Sequence, residues 1–323
     1  MSTHFFYHVY GLVIRSAFTI PELACEESRD YDVSVDFGAC PESLPESARA
    51  PGWAEFAPGR CLIKIPGVSR YLVEGGRSII VDRRACSGRI NQGGIPDADV
   101  RAYLLGSAFA AILHQRGMLP LHVGAIQSRA AVWAFTGESG AGKSTLVGYM
   151  GHKLHYPIVT DDVATVGFAP DKVWLNPGPR KLKLWKEAVD HLGLGSYDLR
   201  QELSGTDKFQ VYLGADKTAK MHKFVCLIEL VRAEARDALP RLEELSGADA
   251  TRVLINAVYR PAFANRHRGP SDVSRDIFHL ASKIKVFRFR RRWDLEKLDE
   301  GCRPIASMID HYDRYEKFPL LGS

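Results

Sequence analysis

Residues Gly137 to Ser144 read Gly-Glu-Ser-Gly-Ala-Gly-Lys-Ser, the GxxxxGK(S/T) spacing. They follow the apolar run Ala131 to Thr136 and open a helical stretch from Ser144 to Lys153. Glycines at 137, 140 and 142 allow the backbone to turn with its N–H groups pointing inward, a nest for anions backed by the positive end of the next helix. Lys143 can set an ammonium on the β and γ phosphates of a nucleotide, and the Ser144 hydroxyl can coordinate magnesium. The expected nucleotide-binding residues are therefore Gly137, Glu138, Ser139, Gly140, Ala141, Gly142, Lys143, Ser144 and Thr145, with ATP and magnesium as cofactors.

Binding a nucleotide does not say what happens next, so the nearby acids matter. Asp161 and Asp162 end the β-like run Pro157 to Thr160 and precede another, Val163 to Phe168. One carboxylate of such a pair can face magnesium while the other accepts the proton of an attacking hydroxyl. His122 opens the β segment His122 to Gln127, which leads toward the strand before the glycine-rich turn. Further cations fall in loops: Arg180, Lys181 and Lys183 form a basic turn, and Arg260, Arg266 and Arg268 lie in a Pro- and Gly-bounded stretch. Of these, Arg180 and Arg260 are the expected substrate contacts. The run Arg288 to Arg292 reads as an edge strand, Phe287 and Phe289 packed inward and the arginines wet.

The elements that must position these groups fall into two stretches. From Phe5 to Val81 the chain reads as short strands, among them Tyr7 to Ile14, Tyr31 to Phe37 and Leu62 to Ile65, cut by turns such as Pro51-Gly52 and Gly75-Gly76; an antiparallel sheet is expected. After the Gly93-Gly94 linker, Asp97 or Asp99 caps a helix to about Gln115, closed by Gly117. Then strands and helices alternate: strand 224 to 231, helices 247 to 259 and 272 to 283, strand 286 to 290 and helix 294 to 312. An α/β fold follows, with an N-terminal β-rich module over 1–94 and a P-loop domain over 95–323.

Composition sets the outer limits. Of 323 residues 46% are hydrophobic and 25% charged, ordinary for a globular protein, and the net charge of +5 is too small for a nucleic-acid binder. Six cysteines, Cys25, Cys40, Cys61, Cys86, Cys226 and Cys302, show no metal or disulfide spacing, and no signal peptide or long apolar run occurs. A cytoplasmic protein with no membrane partner is expected.

Taken together, His122 in LPLHVGAI, the GESGAGKST turn and Asp161-Asp162 in PIVTDDVATV resemble the HPr kinase/phosphorylase catalytic domain. The resemblance implies a magnesium-dependent P-loop serine kinase in which Asp161 activates a serine hydroxyl, Asp162 and His122 assist, and Ser144 with Asp162 holds magnesium. That family's Glu-Ile-Arg-Gly-Leu-Gly signature has no counterpart in NPGPRKLKLWKEAVDHLG, so phosphorolysis and the associated hexamer are not carried over. The chain is more similar to the HPr-kinase-like proteins of lasso-peptide clusters, through GLVIRS…IPEL at Gly11 to Leu23 and Leu184-Trp185 after a basic segment. This likeness implies a peptide or small-protein acceptor, phosphorylated on a C-terminal serine. A homo-oligomer is compatible with it. An HPr-type protein serine kinase and a nucleotide-gated binding module without phosphotransfer stand as alternatives, with a small-molecule kinase as a third possibility.

Overall fold

The structure, a computed structural model, describes residues 4–27, 30–45, 53–85, 97–179, 181–197, 199–201, 207–212, 222–233 and 240–319. The expected substrate contact Arg180, the Gly93-Gly94 linker, the Pro51-Gly52 turn and Cys86 lie outside them.

Eight strands form the first sheet: β1 (Phe5–Val9), β2 (Leu12–Ser16), β3 (Ala24–Cys25), β4 (Val33–Gly38), β5 (Ala54–Ala57), β6 (Arg60–Ile65), β7 (Ser69–Glu74) and β8 (Ser78–Asp82). The run Tyr7 to Ile14 is two of them, because Tyr10 and Gly11 take φ of 59° and 79° and close β1 on β2 in a tight hairpin. The sheet is also mixed, not antiparallel throughout. β4 joins the β1–β2 hairpin to the meander β5–β8 and runs parallel to both neighbours, β2 and β8.

Asp97 is the helix cap, its Oδ1 accepting the Val100 N–H at 3.0 Å. The expected single helix is interrupted: α1 (Ala98–Tyr103) passes through a π-helical turn, Leu104–Ala108, into α2 (Phe109–Gln115). Gly117, at φ 71°, ends it. Val100, Leu104, Phe109 and Ile112 share one core with Ile14, Val35 and Tyr71 of the first sheet. A buried ion pair, Arg101 Nε to Glu22 Oε1 at 2.8 Å, joins the two.

The second sheet begins with β9 (Leu119–His122), β10 (Gly124–Gln127), β11 (Val132–Thr136), β12 (Ile158–Thr160), β13 (Val163–Phe168) and β14 (Val173–Asn176), with α3 (Lys143–His152) between β11 and β12. A separate antiparallel sheet follows, of β15 (Lys181–Trp185), β16 (Leu199–Gln201) and β17 (Lys208–Tyr212), with α4 (Lys186–Leu192) packed beside it. The chain returns to the second sheet with β18 (His222–Arg232), β19 (Arg241–Leu245) and β20 (Lys285–Arg291); α5 (Gly247–Ala257), α6 (Pro261–His267) and α7 (Pro270–Ala281) precede β20, and α8 (Leu298–Tyr315) follows it. The strand order is β12-β10-β11-β18-β14-β13-β9, and β20 lies between β18 and β19. β20 is thus not an edge strand, contrary to the sequence expectation.

Helices cover both faces. Trp133, Phe135, Phe287 and Phe289 pack with Leu146 and Met150 of α3 and Ile305 and Ile309 of α8. On the other face Val132, Leu227 and Val286 pack with Val253 and Leu254 of α5 and Leu280 of α7. Each fully buried large side chain here contributes about 2–3 kcal/mol. β11, β18 and β20 run parallel, so their carboxyl ends open on one edge. Crevices at such edges are where open α/β sheets place ligands.

Candidate active site

The glycine-rich turn joins the carboxyl end of β11 to the first residue of α3. Gly137, Gly140 and Gly142 take φ of 143°, 83° and 76°, conformations costly for any residue with a Cβ. At Gly137 close approach adds to this: a Cβ there would lie 2.6 Å from the Leu230 carbonyl oxygen of β18. Glu138, Ser139 and Gly140 are exposed, Ala141 and Lys143 are buried, and Ser144 and Thr145 are half-buried on the first turn of α3. The Lys143 ammonium folds back into the turn, donating to the carbonyls of Gly137 at 2.8 Å and Glu138 at 3.2 Å. Burial lowers its pKa, against the pull of the Asp161 and Asp162 carboxylates.

Strand register brings the acids and the histidine to this turn. β12 lies antiparallel to β10 and β13 antiparallel to β9, with Val163 opposite His122. Asp161 and Asp162 form the corner between β12 and β13, and the Val123 N–H donates to the Asp162 carbonyl at 3.1 Å across it. Gly124 makes room: a Cβ there would meet Val147 of α3 at 2.8 Å and Asp161 Oδ1 at 3.3 Å. Asp161 is 4% exposed; its Oδ2 accepts the Lys183 N–H at 2.7 Å, and its Oδ1 has no hydrogen-bond partner. Burial pushes this carboxyl up to about 7, moderated by that N–H and by the Ser144 hydroxyl beside it.

Asp162 is held differently. Burial alone would raise it, but the Lys183 ammonium at 2.7 Å and His122 Nδ1 at 3.7 Å from its oxygens hold it well below the usual carboxylate range. Burial and the nearby lysines push His122 down, to about 4. Its ring stacks on Tyr259 with centroids 5.8 Å apart. The pair thus contains one carboxyl poised near neutrality and one ionised, which is how acid–base work is divided between neighbouring groups.

The basic turn expected at 180 to 183 is, from Lys181 on, a strand. Leu182 and Leu184 of β15 point at α3, their methyls 3.4 and 3.8 Å from a Cβ placed on Gly148. Lys181, Lys183 and Trp185 therefore share the opposite face with their cross-strand partners Tyr212, Gln210 and Lys208. This cationic face adjoins Asp162, on which Lys183 and Lys181 both act.

Of the sequence-expected residues, the turn, Lys143, Ser144, Asp161, Asp162 and His122 converge. Ser144, expected to hold magnesium with Asp162, lies against Asp161, the other acid of the pair. Arg260 stands one layer back, at φ 52°, its guanidinium over Tyr259 at 5.6 Å and donating to Ser107 Oγ at 3.1 Å. Arg268 pairs with Asp276 and donates to the Met118 carbonyl, away from the acids. Sequence reasoning missed Tyr10 and Tyr259, whose hydroxyls both feel the Asp162 charge. Tyr10 carried a signal: it precedes a glycine inside an otherwise β-like run.

No family model matches the chain, and no curated protein matches it. Among solved structures, the HPr(Ser) kinase/phosphatase from Coxiella burnetii is similar over 61% of this chain and 96% of its own, at 12% identity and a TM-score of 0.31.

Proposed function

We propose that this chain is an ATP- and magnesium-dependent P-loop kinase that transfers the γ-phosphoryl group to a serine hydroxyl of a peptide, with the C-terminal serine of a lasso-peptide precursor as the favoured acceptor. The observation that carries the reading is Asp161: a buried carboxyl with a raised pKa and an unpartnered oxygen, set beside Ser144 and within the field of Lys143. The turn's backbone N–H groups and Lys143 hold the polyphosphate. Asp161 takes the proton from the acceptor hydroxyl, whose oxygen forms a bond to the γ-phosphorus as the bond to the β-phosphate oxygen breaks and ADP leaves. Asp162, fixed as an anion by Lys183 and with His122 beside it, keeps that corner in place.

The donors present suit magnesium: the Ser144 hydroxyl and the Asp162 carboxylate next to Asp161 are hard oxygen ligands, while the unpartnered Oδ1 of Asp161 is kept for the acceptor hydroxyl. When bound, magnesium offsets the charge that develops on the phosphoryl oxygens. Lys181, Lys183 and Lys208, on one face of β15 and β17, make the field beside the acids positive, which supports an acidic peptide as acceptor.

Incubation with ATP, magnesium and an acidic peptide ending in serine should add one phosphate, read by mass spectrometry. Asp161→Asn should abolish the gain while nucleotide still binds. Nucleotide binding with no transfer to any peptide or to HPr would support the gated module, and phosphorylation of a metabolite alone would support the small-molecule kinase.

A further inference from the structure

Side chains alternate along β20, and residues 287, 289 and 291 share the face covered by α3 and α8. Phe287 and Phe289 are fully buried in that core. Arg291 takes the next place in the row, beyond the apolar core at the carboxyl end of the strand, and is only 5% exposed. Its Nη2 lies 2.8 Å from the point a Cβ on Gly142 would occupy, so the guanidinium touches the residue that caps α3 and precedes Lys143. Arg288, by contrast, faces the other way and pairs with Glu229 at 2.7 Å.

Among the described residues no carboxylate pairs with Arg291. Its Nε is buried without a hydrogen-bond partner, and its other neighbours are Gly301, whose Cβ position lies 3.8 Å from Arg291 Cδ, and Cys302. An unpaired buried guanidinium is costly, and its planar fork of donors matches phosphate geometry. Lys143 holds the carbonyls of Gly137 and Glu138 at the start of the turn, while Arg291 stands at its end. Two cations bracket the turn.

We propose that Arg291 is a phosphate-binding residue, donating from the sheet side to a nucleoside polyphosphate held in the 137–142 turn. The proposal rests on the reading of that turn as a nucleotide cradle. Calorimetric titration of the full chain with ADP, a non-hydrolysable ATP analogue and adenosine, for the wild type, Arg291→Lys and Arg291→Met, tests it. Loss of a charged donor should weaken ADP and the analogue roughly 10- to 100-fold in the Met variant, and less in the Lys variant. Adenosine affinity should be unchanged. The thermal midpoint of the nucleotide-free Met variant should hold or rise, since an unpaired buried charge has been removed.

Wild-type affinity in both variants, with or without a lower midpoint, would make Arg291 a structural strut and overturn the proposal while leaving the cradle intact. No nucleotide binding by the wild type would overturn both. If the Met variant does not fold, the Lys variant decides: it keeps the charge but loses the fork, and affinity equal to wild type there overturns the contact.

Discussion

The main-chain N–H of Lys183 donates to Oδ2 of Asp161 at 2.7 Å, and Oδ1 of that buried carboxyl has no hydrogen-bond partner. One oxygen is thereby anchored to β15 and the other left for chemistry at the corner of β12 and β13. Because the same residue's ammonium holds Asp162, Lys183 sets the position of both acids.

Asp161 should make stability depend on pH. Its pKa rises from 3.8 to about 7 in the folded chain, mainly through burial, so the folded state keeps the proton longer than the unfolded state does. Its stabilising share is complete below about pH 4 and is lost as pH climbs to about 7. Asp161→Asn should therefore gain on the wild type between pH 4 and pH 8, by at most about 4 kcal/mol. Thermal midpoints across that range check this; a gap that does not change with pH would refute it. Phosphotransfer should rise to a plateau above about pH 7 for the same reason.

Lys183→Met leaves Asp162 without its closest cation. Both side chains are about one-fifth exposed, so the loss should be about 1–3 kcal/mol, short of a fully buried pair. Adding Asp162→Asn should restore most of it, measured as a double-mutant cycle in urea. Additive losses would show that the ion pair contributes little.

Gly137 and Gly140 separate backbone strain from collision. Gly140→Ala meets open space and should cost about 1–2 kcal/mol from its φ of 83° alone. Gly137→Ala also drives its Cβ into the Leu230 carbonyl of β18, which has no free rotation to escape, so it should cost clearly more. Equal losses in denaturant melts would count against this packing.

Tyr10 ties the first sheet to the active corner. It is 2% exposed, its ring centroid is 6.1 Å from that of Phe109, its N–H donates to the Pro177 carbonyl at 2.8 Å, and a Cβ on Gly178 would lie 2.9 Å from its ring. Tyr10→Ala should destabilise by about 3–5 kcal/mol. It should also lower phosphotransfer at temperatures where the chain is still folded. Full activity of the folded variant would show that this contact does not reach the chemistry.

The turn from β11 into α3, the start of the helix at Lys143 and the acid pair between two strands were legible because their signals are local. Three glycines at fixed offsets admit a backbone that other residues resist, and a lysine and serine at the helix start follow from spacing along one chain. Asp97 as a cap and Gly117 as a stop were legible for the same reason. The hairpin at Tyr10-Gly11, the π-turn after Tyr103 and the parallel neighbours of β4 were not, since each depends on what packs against the segment.

What the amino-acid order determined by itself is thus a phosphate-shaped turn with two carboxylates downstream. The tertiary structure alone decided that His122 faces Asp162, that Lys183 grips both acids, that Ser144 sits by Asp161 and that Arg291 lies buried against Gly142. Those contacts follow from which strand pairs with which and in what register. Residues far apart in the chain fix that pairing by burying one another's apolar faces, and no local pattern encodes it.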